Sequence, residues 1–207
     1  MDKRAYFIEI FEQAEEYYAG SKKRLAGDGW SEGWQTLIVT VMSAQTRDEV
    51  TIPVAERLFK RYPTIDRLAN AKIVDVEQII SRLNFYKNKS KHIIAAAKWL
   101  KKNKYLVPNT VDELIEIPGV GRKTANLVIS EVYGKDGLTI DTHVFAICNL
   151  LGFTKAKNPA QCETQLKEYI PKKYWSRINR IFVLWGKDVP RKTKEKLLEK
   201  LTNDSSN

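Results

Sequence analysis

The strongest structural signal in the sequence is the segment LIEIPGVGRKTA, from Leu114 to Ala125. Its two glycines lie two positions apart, and glycine lets a backbone turn tightly and approach a ligand closely. A helix is predicted to begin just after them and to end near Tyr133, with its free N–H groups beside Arg122 and Lys123. Residues 111–133 therefore predict a helix–hairpin–helix that holds a nucleic-acid backbone without reading its sequence. The alternative is an ordinary corner between two helices, with glycine as the C-cap.

Helical periodicity dominates the rest of the chain, and a strand is suggested only at Leu138–Ile140. The run from Trp34 to Ala44 is apolar nearly all round and predicts a buried central helix. Thr51 and Pro53 predict a helix whose first turn carries the proline. Further helices are predicted near the N-terminus, from 64, over 74–83 and 89–102, from 141 to 152, from 159, over 175–185 where Gly186 closes the stripe, and in a short basic tail that fades into disorder. The predicted fold class is all-α.

The charge balance indicates a polyanionic partner. Of 207 residues, 35 are Lys or Arg and 25 are Asp or Glu, which gives a net charge of +10. A chain this basic usually meets nucleic acid, an anionic membrane face or an acidic protein. From Arg82 to Lys104 there are eight basic residues and no acid, interleaved with aromatic rings. A solvated helix face could look the same, but the single sign of charge favours a track for phosphates.

Cysteine usage and the apolar runs bear on location. Cys148 and Cys162 are the two cysteines of the sequence, too few for a disulfide framework or a four-thiolate metal site. They fit a reducing interior. The first residues do not resemble a secretory signal, and the longest apolar runs are too short to cross a bilayer. We therefore expect an intracellular, DNA-associated protein of the cytoplasm, nucleoid or nucleus, with no membrane partner, metal or cofactor.

A lysine and an aspartate are candidates for chemistry. Lys123 starts the second helix of the hairpin, and Asp141 caps the next helix eighteen residues later. Antiparallel packing of consecutive helices could bring both to one cleft. An unprotonated lysine amine can attack a sugar carbon and form a Schiff base, while a carboxylate can stabilise an oxocarbenium-like sugar. The alternatives are a phosphate contact for Lys123 and a plain N-cap for Asp141.

Four motifs carry a family resemblance. In chain order they are MSAQTRD (42–48), NFYKNKSKHI (84–93), IPGVGRKTANLV (117–128) and IDTHVFAICN (140–149). Together they make the chain resemble the endonuclease III branch of the helix–hairpin–helix DNA glycosylases, whose lysine-to-aspartate spacing of eighteen also matches. The resemblance implies an all-α fold of two helical lobes with a DNA-binding cleft between them, and a damaged base flipped out into that cleft.

The resemblance also assigns roles to single residues. By motif position, Lys123 is the catalytic Schiff-base nucleophile and Asp141 the catalytic carboxylate. Gln45 fills the gap left by the flipped nucleotide, and Phe85 acts as a wedge, although a core position for this ring is the alternative. His143 follows the aspartate, and a satisfied structural histidine is the favoured interpretation. The further DNA contacts predicted are Lys87, Lys89, Gly119, Val120, Gly121 and Arg122.

Two departures from the family pattern matter. Family members commonly end with four cysteines that hold an iron–sulfur cluster, whereas the region after Trp185 reads GKDVPRKTKEKLLEK. We expect no cluster there, and a basic helix in its place. The wedge position reads Asn84-Phe85-Tyr86 where many relatives have Gly-Leu-Tyr. Wedge and pocket together select the lesion, so this difference leaves the lesion open.

These observations favour a base-excision DNA glycosylase with AP-lyase activity. We expect it to remove an oxidised pyrimidine and to cut by β-elimination, with double-stranded DNA as partner and the chain as a monomer. The alternatives are a monofunctional mismatch uracil or thymine glycosylase and a non-catalytic DNA-binding protein; alkylated or oxidised purines are a third substrate class. We expect a central domain over 23–133 with the helix–hairpin–helix, and a second lobe formed by 1–22 and 134–207.

Overall fold

The computed structural model describes residues 2–135 and 137–202, and every regular element in these ranges is a helix. The all-α prediction is confirmed. Leu138–Ile140, the strand-like candidate, is a buried irregular segment, so that prediction is wrong. Its apolar residues serve the core without a strand partner among the described residues. The predicted disorder of the tail falls on 203–207, outside the described residues.

The helices alternate with short connections along the chain. In order they are α1 (Lys3–Tyr18), α2 (Gly33–Ser43), α3 (Asp48–Arg61), α4 (Ile65–Ala69), α5 (Ile73–Ile80), α6 (Tyr86–Lys102), α7 (Val111–Leu114), α8 (Arg122–Tyr133), α9 (Thr142–Leu150), α10 (Pro159–Tyr169), α11 (Trp175–Asp188) and α12 (Lys194–Thr202), with a 3₁₀ turn at Lys172–Tyr174. They divide between two compact units, Arg24–Lys135 and the combined segments Met1–Lys23 and Asp136–Asn207.

The unit Arg24–Lys135 is built around α2, as its apolar sequence predicted. Leu37, Ile38 and Val39 are fully buried, so neighbouring helices cover α2 on several sides. Helices α3, α6 and α8 pack against it. Burying a large aliphatic side chain contributes about 1.5–3 kcal/mol, so α2 is the main apolar anchor of the helices that carry the site.

Helix α3 begins earlier than its proline suggested. The predicted first turn at Thr51 and Pro53 is wrong, because the helix starts at Asp48 and Pro53 lies in its second turn. Asp48 and Glu49 occupy the first turn, where negative side chains favour the positive helix end. Thr51 donates its hydroxyl proton to Arg47 O at 3.0 Å. A proline beyond the first turn costs about 3 kcal/mol, which burial of the apolar face of α3 offsets.

The unit formed by the two terminal segments has an aromatic core. Phe7 of α1 lies with its ring 4.9 Å from that of Phe153, and Phe182 of α11 lies 5.7 Å from Trp185. The buried Trp185 donates its indole N–H to Leu197 O at 3.2 Å and so ties α12 to α11. The predicted stop of the last large helix at Gly186 is wrong, because α11 continues to Asp188.

Candidate DNA-binding and catalytic site

The hairpin between α7 and α8 is held by its two apolar residues and one glycine. Ile117 and Val120 are buried, and the Val120 N–H donates to Ile117 O at 3.0 Å. Gly119 has a φ of +83°, and a Cβ at this position would lie 2.6 Å from the Cβ of His92 on α6. The turn therefore requires glycine twice over, for its backbone conformation and for its contact with α6. Val120 stays a predicted DNA contact, although its side chain and N–H are engaged within the hairpin itself.

The start of α8 is open to a ligand. Gly121 is the N-cap with no side-chain capping bond, and a Cβ there would find no atom within 4 Å. The first backbone bond of the helix runs from Ala125 N–H to Gly121 O at 2.9 Å, so the earlier N–H groups have no partner inside the helix. Arg122 and Lys123 are exposed beside them. The arrangement supplies N–H donors, a positive dipole end and two cations to an approaching phosphate.

Asp141 occupies the N-cap of α9 in the unit of the terminal segments. Its Oδ1 accepts the N–H of His143 at 2.9 Å and that of Val144 at 2.8 Å. The structure thus gives Asp141 the capping role considered as its alternative, and the two capping bonds fix the orientation of the half-buried carboxylate. A cap and a catalytic role are compatible, because both capping bonds go to one carboxylate oxygen.

His143, expected to be a satisfied structural histidine, has one ring nitrogen without a partner in the described part of the chain. Its Nδ1 is buried and has no hydrogen-bond partner among the described residues. The ring lies against α11, where a Cβ on Gly186 would come within 2.3 Å of that Nδ1. This contact explains why α11 carries a glycine in its last turn. Burial lowers the pKa of His143, with the neighbouring Asp141 carboxylate acting in the opposite direction.

Gln45 and Phe85 share an unusual backbone conformation. Both are exposed, and their φ angles of 54° and 58° place them in the left-handed region. This conformation costs a non-glycine residue about 1–2 kcal/mol. Phe85 precedes the first residue of α6 with 62% of its surface exposed, so the alternative of a core phenylalanine is excluded. Two strained, exposed residues of this kind are typical of a site where side chains are held ready for a ligand.

Two polar residues join the loops that carry Gln45 and Phe85. Asn84 donates its side-chain amide to Gln45 O at 2.6 Å, and its backbone N–H donates to Thr46 Oγ1 at 3.2 Å. Neither Thr46 nor Asn84 was among the predicted site residues. Both stand directly beside assigned residues in the motifs MSAQTRD and NFYKNKSKHI, which is the signal that could have found them.

Lys89 does not lie on the surface, so its predicted contact with DNA is wrong. Its side chain is 5% exposed, and Nζ donates to Met42 O at 2.6 Å, Ala44 O at 2.6 Å and Thr46 Oγ1 at 2.9 Å. The prediction took Lys89 as the start of the helix, whereas α6 begins three residues earlier. Lys89 therefore falls on the inward stripe with Ile93, one turn further on. Burial lowers the pKa of Lys89 to about 8.

Apart from Lys89, the basic residues of the run from Arg82 to Lys104 are exposed, and one of them forms an ion pair. Lys101 contacts the Asp66 carboxylate at 2.8 Å, and this partner raises the pKa of Lys101. Lys87, in the first turn of α6, is exposed and stays a predicted DNA contact. The run is thus a surface of exposed cations interrupted by one buried and one paired lysine.

The donor set of the chain does not fit an iron–sulfur cluster. Such a cluster normally takes four cysteine thiolates, and the sequence contains two cysteines. Cys148 on α9 and Cys162 on α10 are both buried, and Cys162 Sγ lies 3.7 Å from the Thr154 hydroxyl. Within 2–135 and 137–202, no group of three or more His, Cys, Asp or Glu side chains could hold a metal ion. None of the helices described is both long and apolar enough to span a membrane.

Comparison with known proteins places the four motifs in context. The family model for the HhH-GPD superfamily of base excision DNA repair proteins matches residues 38–172. The chain is 38% identical over 160 residues to Endonuclease III of Thermotoga maritima, covering 77% of this chain and 75% of that protein. It is 37% identical over 157 residues to Endonuclease III of Synechocystis sp., covering 75% and 72%.

Solved structures show the same fold. A trapped covalent intermediate of Endonuclease III with DNA superposes with a TM-score of 0.84 at 28% identity, covering 93% of this chain and 91% of that one. A non-covalent Endonuclease III–DNA complex gives 0.83 at 28% identity, with coverage of 93% and 90%. A thermostable thymine-DNA glycosylase gives 0.79 at 16% identity over 96% and 94% of the two chains, which shows the fold alone.

Proposed function

Since the chain belongs to the HhH-GPD superfamily of base excision DNA repair proteins and is a DNA glycosylase and AP lyase, we propose that it removes oxidised pyrimidines through a Schiff base on Lys123. The observation that carries the proposal is the position of Lys123. Its exposed amine lies in the first turn of α8, directly after the open glycine turn. A phosphate held by that turn brings the adjoining sugar of the same strand near the amine.

The duplex is bound through its backbone. The N–H groups at the start of α8 and the Arg122 guanidinium bind phosphate, and Gly121 leaves room for its close approach. Gly119 contributes by forming the turn, and Lys87 adds an exposed cation on α6. These contacts carry no sequence information, as suits an enzyme that must find a lesion in any sequence. Affinity should fall steeply with salt, since each neutralised phosphate contributes about 0.9 to the log–log slope.

Gln45 and Phe85 assist extrusion of the lesion. Unstacking one nucleotide costs a few kcal/mol, and an inserted side chain offsets part of this cost. The Phe85 ring stacks on the base left without a partner, which contributes about 1–3 kcal/mol. The Gln45 amide fills the space that the flipped nucleotide vacates and offers hydrogen bonds to the opposite base. Their exposed, preformed positions support these roles.

The chemistry begins with the unprotonated Lys123 amine, which attacks C1′ as the bond to the base breaks and the base leaves with a proton. Of the two protons on Nζ, one goes to the departing base and the other to the ring oxygen O4′. The C1′–O4′ bond breaks, and C1′ becomes an imine carbon double-bonded to Nζ. Loss of a C2′ proton expels the 3′ phosphate and cuts the strand, and water releases the enzyme by hydrolysis. The Asp141 carboxylate stabilises the cationic sugar and accepts or returns protons.

A panel of duplexes, each with one defined lesion, tests the substrate class. An oxidised pyrimidine should be excised fastest, and its strand should be nicked without alkali because the lyase step follows excision. The comparison duplexes carry uracil or thymine opposite guanine, an oxidised purine and an alkylated purine. Excision confined to mismatches, with nicks appearing only after alkali, would establish the monofunctional alternative. Binding without excision of any lesion would establish a DNA-binding protein.

Replacing Asp141 with asparagine separates its two roles. Asparagine caps a helix about as well as aspartate, so Asp141→Asn should keep the free energy of unfolding within about 0.5 kcal/mol. Without the carboxylate charge, base excision should slow by about 100-fold or more. Urea unfolding and single-turnover excision measure the two effects. If excision declines no more than the loss of folded protein explains, Asp141 is a cap and nothing else.

A further inference from the structure

The Lys89 ammonium donates three hydrogen bonds, all within the unit Arg24–Lys135. The acceptors are neutral oxygens of Met42, Ala44 and Thr46, at 2.6, 2.6 and 2.9 Å. Burying an amine is unfavourable, and an apolar residue would suit this inward stripe of α6 better by burial alone. The geometry therefore indicates that the role of the lysine lies in the three hydrogen bonds that its ammonium donates.

The acceptors belong to the end of α2 and the loop after it. Met42 lies in the last turn of α2 and Ala44 is its C-cap, so their carbonyls form part of the negative helix end. A cation at this end fixes where α2 stops. The next residue is Gln45, which departs from the helix in the left-handed conformation. Lys89 thus holds the carbonyl just before Gln45 and the hydroxyl just after it, on Thr46.

The same residue fixes the other exposed side chain. The backbone N–H of Lys89 donates to Phe85 O at 3.0 Å and closes the first turn of α6. Its side chain reaches Thr46 Oγ1, which also accepts the N–H of Asn84 at 3.2 Å. The Asn84 amide in turn holds Gln45 O. One connected network therefore runs from Lys89 to both strained residues.

We propose that Lys89 is a positioning residue that holds Gln45 and Phe85 together in the geometry with which they enter the duplex. The inference rests on the proposed function, because it assigns Lys89 to the extrusion step of that reaction. Lys89 touches neither DNA nor the reacting atoms. Its loss releases the end of α2 and the start of α6 from each other, and the two side chains no longer enter the base stack as a unit.

The test compares one lesion in two settings. Single-turnover excision is measured on an oxidised pyrimidine in a fully paired duplex and on the same lesion opposite a gap, where unpairing is already done. Lys89→Met keeps the volume of the side chain and removes its donors. It should slow excision from the paired duplex by about 100-fold, the order expected when supporting groups move by about 1 Å. Excision opposite the gap should stay near the wild-type rate.

Two further variants keep the proposal testable if Lys89→Met unfolds. Thr46→Val removes only the hydroxyl that links Lys89 to Asn84, and it should show the same selective loss to a smaller degree. Lys89→Arg restores donors and should recover excision from the paired duplex. Lys60→Met is the matched control, since it removes an exposed lysine of α3 in the same unit and should leave both rates unchanged. Circular dichroism and thermal melting follow the folded fraction of each.

The outcomes distinguish the inference from the function beneath it. Wild-type protein that excises neither substrate overturns the proposed function, and the inference with it. Active wild-type protein whose Lys89→Met and Thr46→Val variants slow equally on both substrates, or on neither, overturns the inference alone. A selective loss on the paired duplex, with rescue by Lys89→Arg, supports it.

Discussion

Phe85 has two possible roles, one in the stability of the fold and one in binding, and its exposure distinguishes them. Without the family resemblance, a phenylalanine beside Tyr86 at the start of an apolar-striped helix is more readily interpreted as a core residue than as a wedge. Its exposure of 62% and its left-handed backbone remove the core interpretation. A ring held in solvent at conformational cost stabilises nothing within the unit. An exposed aromatic face can stack on a base, which supports the role proposed for Phe85 at the DNA.

Phe85→Ala should accordingly leave stability unchanged and impair extrusion. The free energy of unfolding should change by less than about 0.5 kcal/mol, as expected for a substitution at an exposed position. Excision from paired duplex should slow by about tenfold to a hundredfold, which corresponds to losing one stacking contact. Thermal melting and single-turnover excision check the two halves. A large loss of stability, with excision slowed equally on paired and gapped substrates, would contradict the wedge role and indicate that the ring contributes to packing.

Lys89 marks the limit of prediction from a basic run. In the sequence it is one of eight cations without an acid between them, and it was taken as the first residue of its helix. Because α6 begins at Tyr86, Lys89 lies inside the helix, four residues before the buried Ile93 and on the same face. A positive φ at Phe85 sets that start. Such conformations are rare outside glycine and are not encoded in any periodicity.

The buried amine predicts a pH dependence of stability. Burial lowers the pKa of Lys89 from 10.5 to about 8 in the folded chain. Between these values the unfolded chain holds a proton that the folded chain has lost, so raising the pH favours folding. The free energy of unfolding of the wild type relative to Lys89→Met should rise by up to about 3 kcal/mol from pH 8 to 10.5. Urea unfolding across this range measures it; a difference that stays flat or falls would contradict the assignment.

The hairpin is the element whose role was most readable. The structure has the predicted glycine turn, with exposed basic residues at the start of the helix that follows it. This prediction succeeded because a turn followed by a helix start is a local feature. The sequence could not show that the two glycines have different surroundings and therefore different roles. Gly119 faces His92, a residue from another helix, while Gly121 faces open space. That difference depends on how α6 packs and so appears only in three dimensions.

The two glycines therefore predict opposite behaviour on substitution. Gly119→Ala should destabilise the unit by about 1–3 kcal/mol, because alanine suits neither the φ of +83° nor the 2.6 Å contact. Gly121→Ala should lower the free energy of unfolding by less than about 1 kcal/mol, since alanine is the poorer N-cap. It should weaken binding to abasic duplex by about tenfold, because the new methyl group stands where the phosphate approaches. Urea unfolding and fluorescence anisotropy measure the pair. Reversed effects would show that the phosphate approaches elsewhere.

Helix existence was predicted better than helix boundaries. The buried α2 and the inward stripe of α6 follow from apolar spacing. The start of α3 was missed because a proline in the second turn is tolerated once the apolar face is buried. The end of α11 was missed because Gly186 is explained by the His143 ring and not by a helix stop. In both cases a long-range contact overrides a local signal.

For the molecule as a whole, composition indicated a polyanionic partner and the motifs indicated the family. A net charge of +10 fits a protein that meets the polyanion DNA, and the family match carries this to base excision repair. Not every residue of the basic and glycine-rich segments faces outward. Lys89 and Val120 lie within such segments and serve the protein's own structure.

The most direct test concerns Lys123 and its covalent bond to DNA. Borohydride reduces a Schiff base to a stable amine, so a lyase incubated with abasic duplex and borohydride becomes cross-linked to DNA. Wild-type protein should form this adduct, and Lys123→Gln should form none while still binding the duplex. Arg122→Gln is the matched control, because it removes the neighbouring cation of the same exposed helix start but keeps the amine. It should bind less tightly and still cross-link. A Lys123→Gln protein that cross-links as well as the wild type would contradict the assignment of Lys123 as the nucleophile.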